Sequence, residues 1–320
     1  MRQLIIIGGG PAAWAAAVYA GRADLKPLVL TGQNPGGQLM LTTVVENFPG
    51  FVKGIDGPLL MNQMREQAEQ FGVSIIDDVV TGIELNETGV LVKTAGGNFQ
   101  AMAVILATGA QARWLNVPGE KELIGKGVSA CAVCDAAFFR HKKVIVVGGG
   151  DAAMEDALAL SRFSDMVTIV HRKEMFRASK VMVEKVAQKK NIQIRWNSTV
   201  EKISGTNFVE TTEIKNSLTG ITETVPIDGV FVAIGHDPAT TFVRGVVDLD
   251  EKGYVKTGIT YPGKLGVETS IFKDGYPTMT NLPGVFAAGD CVDFRYRQAS
   301  TAAGFGVMAA LDAERWLEKK

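Results

Sequence analysis

Cysteine is scarce in this chain: three residues in 320, at Cys131, Cys134 and Cys291. A set so small and odd in number excludes the disulfide framework of a secreted mini-protein. An excess of charge is missing too. The net charge of -1 leaves no general basic footprint for nucleic acid. Long apolar runs are absent: the stretch from Trp14 to Ala20 is cut off by Gly21, Arg22 and Asp24. That is far short of the roughly 18 apolar residues of a membrane span. Met1 to Ile7 leads into a glycine-rich turn with no charged leader and no small-residue cleavage site. Neither a nucleic-acid nor a membrane partner is expected, and the default compartment is cytoplasmic.

What is present describes a soluble globular protein, 46% hydrophobic and 21% charged, whose length suggests two domains. A chain of this size can bury a core that needs no disulfide staples. Its 36 glycines hint at backbone approaching a ligand, although turns alone absorb many of them.

The order of apolar runs is informative. Leu4 to Ile7 is followed by Gly8-Gly9-Gly10-Pro11-Ala12-Ala13, an Ala-rich helical stretch to Ala23, and a strand at Lys26 to Leu30. This is the opening of a doubly wound α/β sheet. The pattern restarts at Val144 to Val147, with Gly148-Gly149-Gly150-Asp151-Ala152-Ala153, a helix to about Ser164 and a strand from Met166 to Val170. Gly150 lies 140 residues after Gly10, so a whole nucleotide-binding unit is repeated. Further strands are predicted at Met102 to Ala107, Gly229 to Ile234 and Gly284 to Ala288, and a small-residue helix from Ala299. Segments 79–100 and 196–228 read as antiparallel meanders. The fold class is therefore α/β with two Rossmann-like dinucleotide-binding domains, the second inserted into the first. The expected boundaries are 1–115 plus 242–320 for the outer domain and 116–241 for the inserted one.

Each glycine-rich turn fits G-x-G-x-x-A, with Gly8, Gly10 and Ala13 in the first and Gly148, Gly150 and Ala153 in the second. The first glycine permits the tight turn, the second admits a pyrophosphate, and the small third residue lets helix and strand pack closely. A lone match could be a tight turn in an α/β core; two in the same context imply two dinucleotides, most simply a flavin and a nicotinamide. The second strand of the first unit ends in Thr31-Gly32, where a ribose-binding acid is expected, so a hydroxyl or backbone group must replace the carboxylate. The equivalent strand of the second unit ends in His171-Arg172-Lys173, with Arg177 close behind. A basic cluster there suits a 2′-phosphate and points to NADPH over NADH; the plainer reading is a solvated basic loop.

Cys131-Ala132-Val133-Cys134-Asp135 carries the redox chemistry. Two thiols at this spacing can close a reducible disulfide. A zinc half-site or a pair of buried thiols are the alternatives, but zinc needs a second ligand pair and none is nearby. Asp135 can relay a proton to or from a departing thiolate, or cap a helix before Ala136 to Phe139. At strand ends, Thr108-Gly109 and Gly289-Asp290 stand where open α/β sheets bind ligands. Cys291 reads as a small buried residue, and His141 and His236 as turn residues.

The set GGGPAA, GGQL, ENFPG, ATG, C-x-x-C-D, GGGDAA, HRK-x-x-FRA, AIGH, GVFAAGD and RQA, in this order over nearly the whole chain, resembles low-molecular-weight thioredoxin reductase. The resemblance implies a homodimer with an FAD domain and an inserted NADPH domain, and thioredoxin as the protein substrate. It implies FAD contacts at Gly8, Gly10, Pro11, Ala12, Thr31, Gly32, Gln38, Asn47, Thr108, Gly109, Asp290, Gln298 and Ala299. NADPH would lie on Gly148, Gly150, Asp151 and Ala152, with Arg172, Lys173 and Arg177 at its 2′-phosphate. Cys134 would face the flavin, Cys131 would attack thioredoxin, and Asp135 would be the acid/base. The family alternates access to its single C-x-x-C by rotating its two domains, here about junctions near Trp114 and Gly235. The family also commonly has Thr-Gly after the second strand. Three departures stand out: Val133 and Ala136 within the redox motif, Lys173 for a second arginine, and an extra segment at 261–279. The rival readings are a flavin-dependent dithiol oxidase or reductase of a non-thioredoxin acceptor, and a non-catalytic flavin- or nucleotide-binding sensor.

Overall fold

A computed structural model describes residues 1–32, 35–42, 44–259 and 275–320. Most of the extra segment 261–279 lies outside the described residues. The chain divides into two compact units, Met1–Gln111 with Asp237–Lys320, and Ala112–His236. The expected junctions stood at 115/116 and 241/242. The chain leaves along the strand Ala110–Ala112 and returns along His236–Pro238, and these two strands pair. His236, expected in a turn, therefore begins a strand.

The outer unit is built on a seven-stranded sheet. Ser74–Ile76, Leu28–Leu30, Arg2–Ile7 and Asn98–Leu106 run parallel in that spatial order. Asn98–Leu106 is long enough to pair twice on its other edge. Its first residues meet Gly89–Thr94 in antiparallel register, and its last meet Val285–Ala287 in parallel. Leu4, Ile5 and Ile6 are fully buried, as a central parallel strand covered on both faces requires. Each such side chain contributes about 1.5–3 kcal/mol of burial. The helix Pro11–Arg22 buries Ala13, Ala16, Ala17 and Ala20. These small residues let the final helix, Ala299–Leu317, come so close that a Cβ on Gly306 would sit 2.1 Å from the Ala12 carbonyl oxygen.

The inner unit has a five-stranded sheet in the order Val128–Ser129, Gly229–Val232, Lys143–Val147, Met166–Val170, Ile192–Arg195, every pairing parallel. The helix Asp151–Leu160 buries Ala153, Met154, Ala157 and Leu160 against Val144, Val146, Ile169 and Phe231. The two predicted meanders are present: Val80–Asn86 with Gly89–Thr94 and Asn98–Leu106, and Ser198–Ser204 with Thr211–Asn216 and Thr222–Pro226. No helix among the described residues is long and apolar enough to cross a membrane.

Candidate active site

In the outer unit, the loops that follow the parallel strands converge. Gly8 has φ +132°, and a Cβ there would lie 2.1 Å from the Ala107 carbonyl oxygen. Glycine is needed at this point because the first strand passes directly onto the Ala107-Thr108-Gly109 turn. Gly10 is different: a Cβ on it would meet nothing within 4 Å, which leaves open space above the start of the helix at Pro11 and Ala12. The Gly36 N–H donates to the Gly9 carbonyl at 2.8 Å, which brings the turn Gly37–Leu41, and with it Gln38, beside Gly10. The Ala107 N–H donates to Ile7 O and the Ala288 N–H to Leu106 O, both at 2.8 Å, so Thr108-Gly109 and Gly289-Asp290 are aligned with the first turn. The Asn47 Nδ2 group donates to Gln298 Oε1 at 3.2 Å. Gln298 precedes Ala299, the first residue of the last helix, in a capping box with Thr301.

At Thr31-Gly32, where no acid follows the strand, the Thr31 hydroxyl donates to Asp77 Oδ1 at 2.7 Å. Asp77 follows the neighbouring strand Ser74–Ile76, whose Ile76 carbonyl accepts from the Thr31 N–H. A carboxylate is thus present beside the expected position, supplied by a different strand. Sequence reasoning missed Asp77 because nothing local marks which strand will lie beside Leu28–Leu30.

In the inner unit the second turn repeats the first. A Cβ on Gly148 would lie 2.5 Å from Ala233 O, whereas one on Gly150 would meet nothing within 4 Å. The basic loop is tied to this turn. The Arg177 N–H donates to Gly149 O at 2.7 Å, and the His171 ring fills the space where a Cβ on Gly149 would be. His171 Nε2 donates to Met175 O at 3.0 Å. Burial is the main cause that lowers the His171 pKa, with Arg177 and Arg172 adding to it, so the ring is a neutral wedge. Arg172, Lys173 and Arg177 are exposed, and among the described residues none of them has an acid partner. The Asp151 carboxylate, at the start of the helix, instead accepts from the Ser179 N–H at 2.8 Å and its hydroxyl at 2.9 Å, which hold its pKa low. Its side chain serves the next helix, so Asp151 has only its backbone to offer a phosphate.

Cys131 and Cys134 are joined as a disulfide, with Cα atoms 5.3 Å apart. Cys131 caps the short helix Ala132–Asp135, and its Sγ accepts from the Cys134 N–H at 3.3 Å. Cys134 is exposed and Cys131 half-buried. The Asp135 side chain makes no helix-capping bond, which removes the simpler of its two sequence readings. Burial pushes its carboxyl above the usual range, opposed in part by the nearby Ser129 hydroxyl. Among the described residues no group of His, Cys, Asp or Glu could hold a metal ion. Cys291 is fully buried, its thiol pushed up to about 11 by burial, which makes it inert.

Residues 2–306 match the family described as pyridine nucleotide-disulphide oxidoreductase. The chain belongs to that family. It is 48% identical over 320 residues to the thioredoxin reductase of Mycolicibacterium smegmatis, covering 100% of this chain and 98% of that one. It is 49% identical over 318 residues to the bifunctional thioredoxin reductase/thioredoxin of Mycobacterium leprae, of which it spans 66%. Among solved structures, thioredoxin reductase from Giardia duodenalis superposes with a TM-score of 0.89 at 42% identity, covering 99% of this chain and 100% of that one.

As a pyridine nucleotide-disulphide oxidoreductase the chain is an enzyme that uses FAD and NADPH, and its residues fit both. In the outer unit, Asp290 Oδ1 and Thr108 Oγ1 are buried with no hydrogen-bond partner of good geometry in the protein. Buried polar atoms are rarely left so, and a polyhydroxylated ligand such as the ribityl chain of FAD answers both. The carboxyl of Asp290 is pushed up to about 7, by burial first and by Asp293 second, against the pull of Arg297. The open space above Gly10 is where a pyrophosphate would meet the helix N-terminus. In the inner unit, the open Gly150 and three cations without acid partners suit NADPH in the same way. The family departures are mild in this setting. Val133 is 66% exposed and so presents its methyl groups to solvent. Ala136 has φ −55° and is buried in the core, so a glycine's freedom is not needed there.

Proposed function

We propose that this chain is a thioredoxin reductase: an NADPH-dependent flavoprotein that reduces the disulfide of thioredoxin. The observation that carries this reading is the closed Cys131–Cys134 pair with the Asp135 carboxyl in the same helical turn, inside the unit that also bears the second glycine-rich turn and its cations. The Mycobacterium leprae relative, named for both activities, joins reductase and thioredoxin in one chain, which supports thioredoxin as the acceptor. The working form is a cytoplasmic homodimer, as the resemblance implies. The outer unit holds FAD through Gly8, Gly10, Pro11, Ala12, Thr31, Gly32, Gln38, Asn47, Thr108, Gly109, Asp290, Gln298 and Ala299.

When bound, NADPH supplies a hydride and FAD relays the electron pair. The chain's own residues do the rest. Two electrons break the Cys131–Cys134 bond, and Asp135 gives a proton to one departing thiolate and is reprotonated from solvent. The Cys134 N–H at Cys131 Sγ favours the thiolate at Cys131, the attacking sulfur. Attack on thioredoxin forms a mixed disulfide and expels one thioredoxin sulfur as a thiolate, which takes up a proton. Cys134 then attacks Cys131 Sγ, the mixed disulfide breaks, and the second thioredoxin sulfur leaves. The ring of Cys131 and Cys134 is restored and thioredoxin carries away two electrons and two protons.

The test is NADPH oxidation by the FAD-loaded protein with thioredoxin from the same source, wild type against Cys134→Ser. Turnover lost in the variant is the expected result. A flavin that NADPH reduces without any thioredoxin turnover would overturn the choice of acceptor.

A further inference from the structure

No acid ends the strand Leu28–Leu30, yet a carboxylate stands at its end. Leu28–Leu30 runs parallel to Ser74–Ile76 with Leu30 opposite Ile76, so Thr31 and Asp77 are the next residues on the two chains. The pairing continues past the strands: the Thr31 N–H donates to Ile76 O and the Gly32 N–H to Asp78 O, both at 3.1 Å. The Thr31 hydroxyl donates to Asp77 Oδ1 at 2.7 Å. On its other side Thr31 borders the first glycine-rich turn, where a Cβ on Gly9 would lie 3.3 Å from Thr31 Cβ. One buried threonine therefore links the turn to the carboxylate. Both lie at the carboxyl edge of the parallel strands, where dinucleotides bind.

In a dinucleotide fold the acid after the second strand accepts from the adenosine 2′-hydroxyl. A threonine hydroxyl has one proton. That of Thr31 goes to Asp77 Oδ1, the shorter and charged of its two acceptors, the other being Gly32 O at 3.3 Å. Both contacts printed on Asp77, from Thr31 and from Arg65 Nη1 at 3.4 Å, fall on Oδ1, and Oδ2 has no protein donor. Arg65 is shared: its Nε lies 3.3 Å from Glu69, and its guanidinium lies 5.9 Å above the Trp14 ring. Asp78 is turned aside, its carboxylate accepting from the Val79 N–H at 2.7 Å and the Gly96 N–H at 3.0 Å. Asp77, Asp78 and Glu69 thus outnumber Arg65, and the surroundings of this strand end are net negative. The equivalent strand end of the inner unit carries Arg172, Lys173 and Arg177.

We propose that Asp77 replaces the missing acid: it accepts a hydrogen bond from the 2′-hydroxyl of the FAD adenosine, and its charge keeps a 2′-phosphorylated nucleotide out of the outer unit. The proposal rests on the assignment of FAD to that unit. Thr31 fixes one carboxylate oxygen, which leaves the other to the ribose. The two glycine-rich turns are alike in sequence, so the turns themselves cannot sort two dinucleotides. The charge beside each second strand can, and it has opposite sign in the two units.

The experiment titrates the whole chain, stripped of flavin, with FAD, with its 2′-deoxyadenosine analogue and with its 2′-phosphoadenosine analogue. Flavin fluorescence reads binding to wild type, Asp77→Ala, Asp77→Asn and Arg65→Ala. Wild type should bind FAD about 10-fold tighter than the deoxy analogue, the lower end of what a bond to a charged group supplies, since this carboxylate is half-exposed. The phospho analogue should bind wild type more weakly still. In Asp77→Ala the affinity for FAD should fall to that for the deoxy analogue, a ratio of about 1, and the phospho analogue should gain on both. Asp77→Asn keeps an acceptor and loses the charge, so it should retain part of the deoxy ratio and lose the discrimination against phosphate. Arg65→Ala removes only the ion pair and should keep the deoxy ratio of wild type. Each ratio compares ligands on one protein, so a general loss of stability does not move it. A deoxy ratio near 1 in wild type, or one that survives Asp77→Ala, would overturn the role of Asp77 and leave FAD in the outer unit. A wild type that binds no FAD would overturn the cofactor assignment, and the proposal with it.

Discussion

Asn47 and Gln298 meet at 3.2 Å although 251 residues separate them in the chain. Each was assigned to the flavin from a different motif, ENFPG and RQA. Their hydrogen bond joins the loop between the strands Val44–Val45 and Ile55–Asp56 to the start of the last helix. The bond is exposed, so in a folded protein without a ligand it is worth little, about 1 kcal/mol or less. Its value lies in holding two amides in one orientation for a third partner. Asn47→Ala and Gln298→Ala should each raise the FAD dissociation constant by about 5-fold to 10-fold, near 1–1.4 kcal/mol. The double variant should lose less than the product of the two. Titration of apoprotein with FAD, read by quenching of flavin fluorescence, measures this; fully multiplicative losses would show that the pair is not coupled.

The glycines of the two turns should separate into two kinds. Gly8→Ala places a Cβ against backbone at Ala107 with a left-handed φ, and should cost about 3 kcal/mol or more of stability. Gly10→Ala and Gly150→Ala meet no protein atom, so their melting temperatures without ligand should match wild type. They should instead weaken FAD and NADPH binding respectively by about tenfold or more. Calorimetric melting and ligand titration on the three variants decide the matter. A large loss of stability in Gly10→Ala would show that the open space is not a ligand cradle.

The cations of the inner unit should set nicotinamide choice. A charge-assisted hydrogen bond contributes about 1.5–3 kcal/mol. Arg172→Ala and Arg177→Ala should therefore raise the KM for NADPH by about 10-fold to 100-fold and leave that for NADH within about 3-fold. Lys173→Arg should sharpen the preference, since a fork holds a phosphate better than a point charge. Steady-state kinetics with both nucleotides test this, and equal losses for NADPH and NADH would move the 2′-phosphate elsewhere.

Asp290 gives the apoprotein a pH dependence whose sign can be stated. Burial raises its pKa from 3.8 in the unfolded chain to about 7 in the folded one. The folded state thus binds a proton that the unfolded state has released, and stability falls as pH rises between these values. The contribution is fully present below pH about 4 and is gone above pH about 7. Urea denaturation of apoprotein at pH 5 and pH 8 should show a larger drop for wild type than for Asp290→Asn. Equal drops in the two proteins would mean that Asp290 titrates normally.

Much of this protein was legible in its sequence. The two glycine-rich turns, the strands that feed them, the C-x-x-C-D set and the basic loop are local patterns. Spacing over a few residues fixes a turn, a ring size or the charge at a strand end, and those survive whatever the rest of the chain does. The order of motifs along the chain then carried the family, the cofactors and the inserted arrangement. The tertiary structure alone decided which positions far apart meet. Asp77 stands beside Thr31 because Ser74–Ile76 is the strand that pairs with Leu28–Leu30. Ser129 reaches the redox turn because its strand is pinned to Gly229–Val232, roughly a hundred residues later. Asp135 makes no capping bond, and Asp151 accepts from the Ser179 N–H and hydroxyl 28 residues away. Periodicity and spacing encode backbone shape and buried faces, while hydrogen-bond partners depend on strand order, which no short pattern contains.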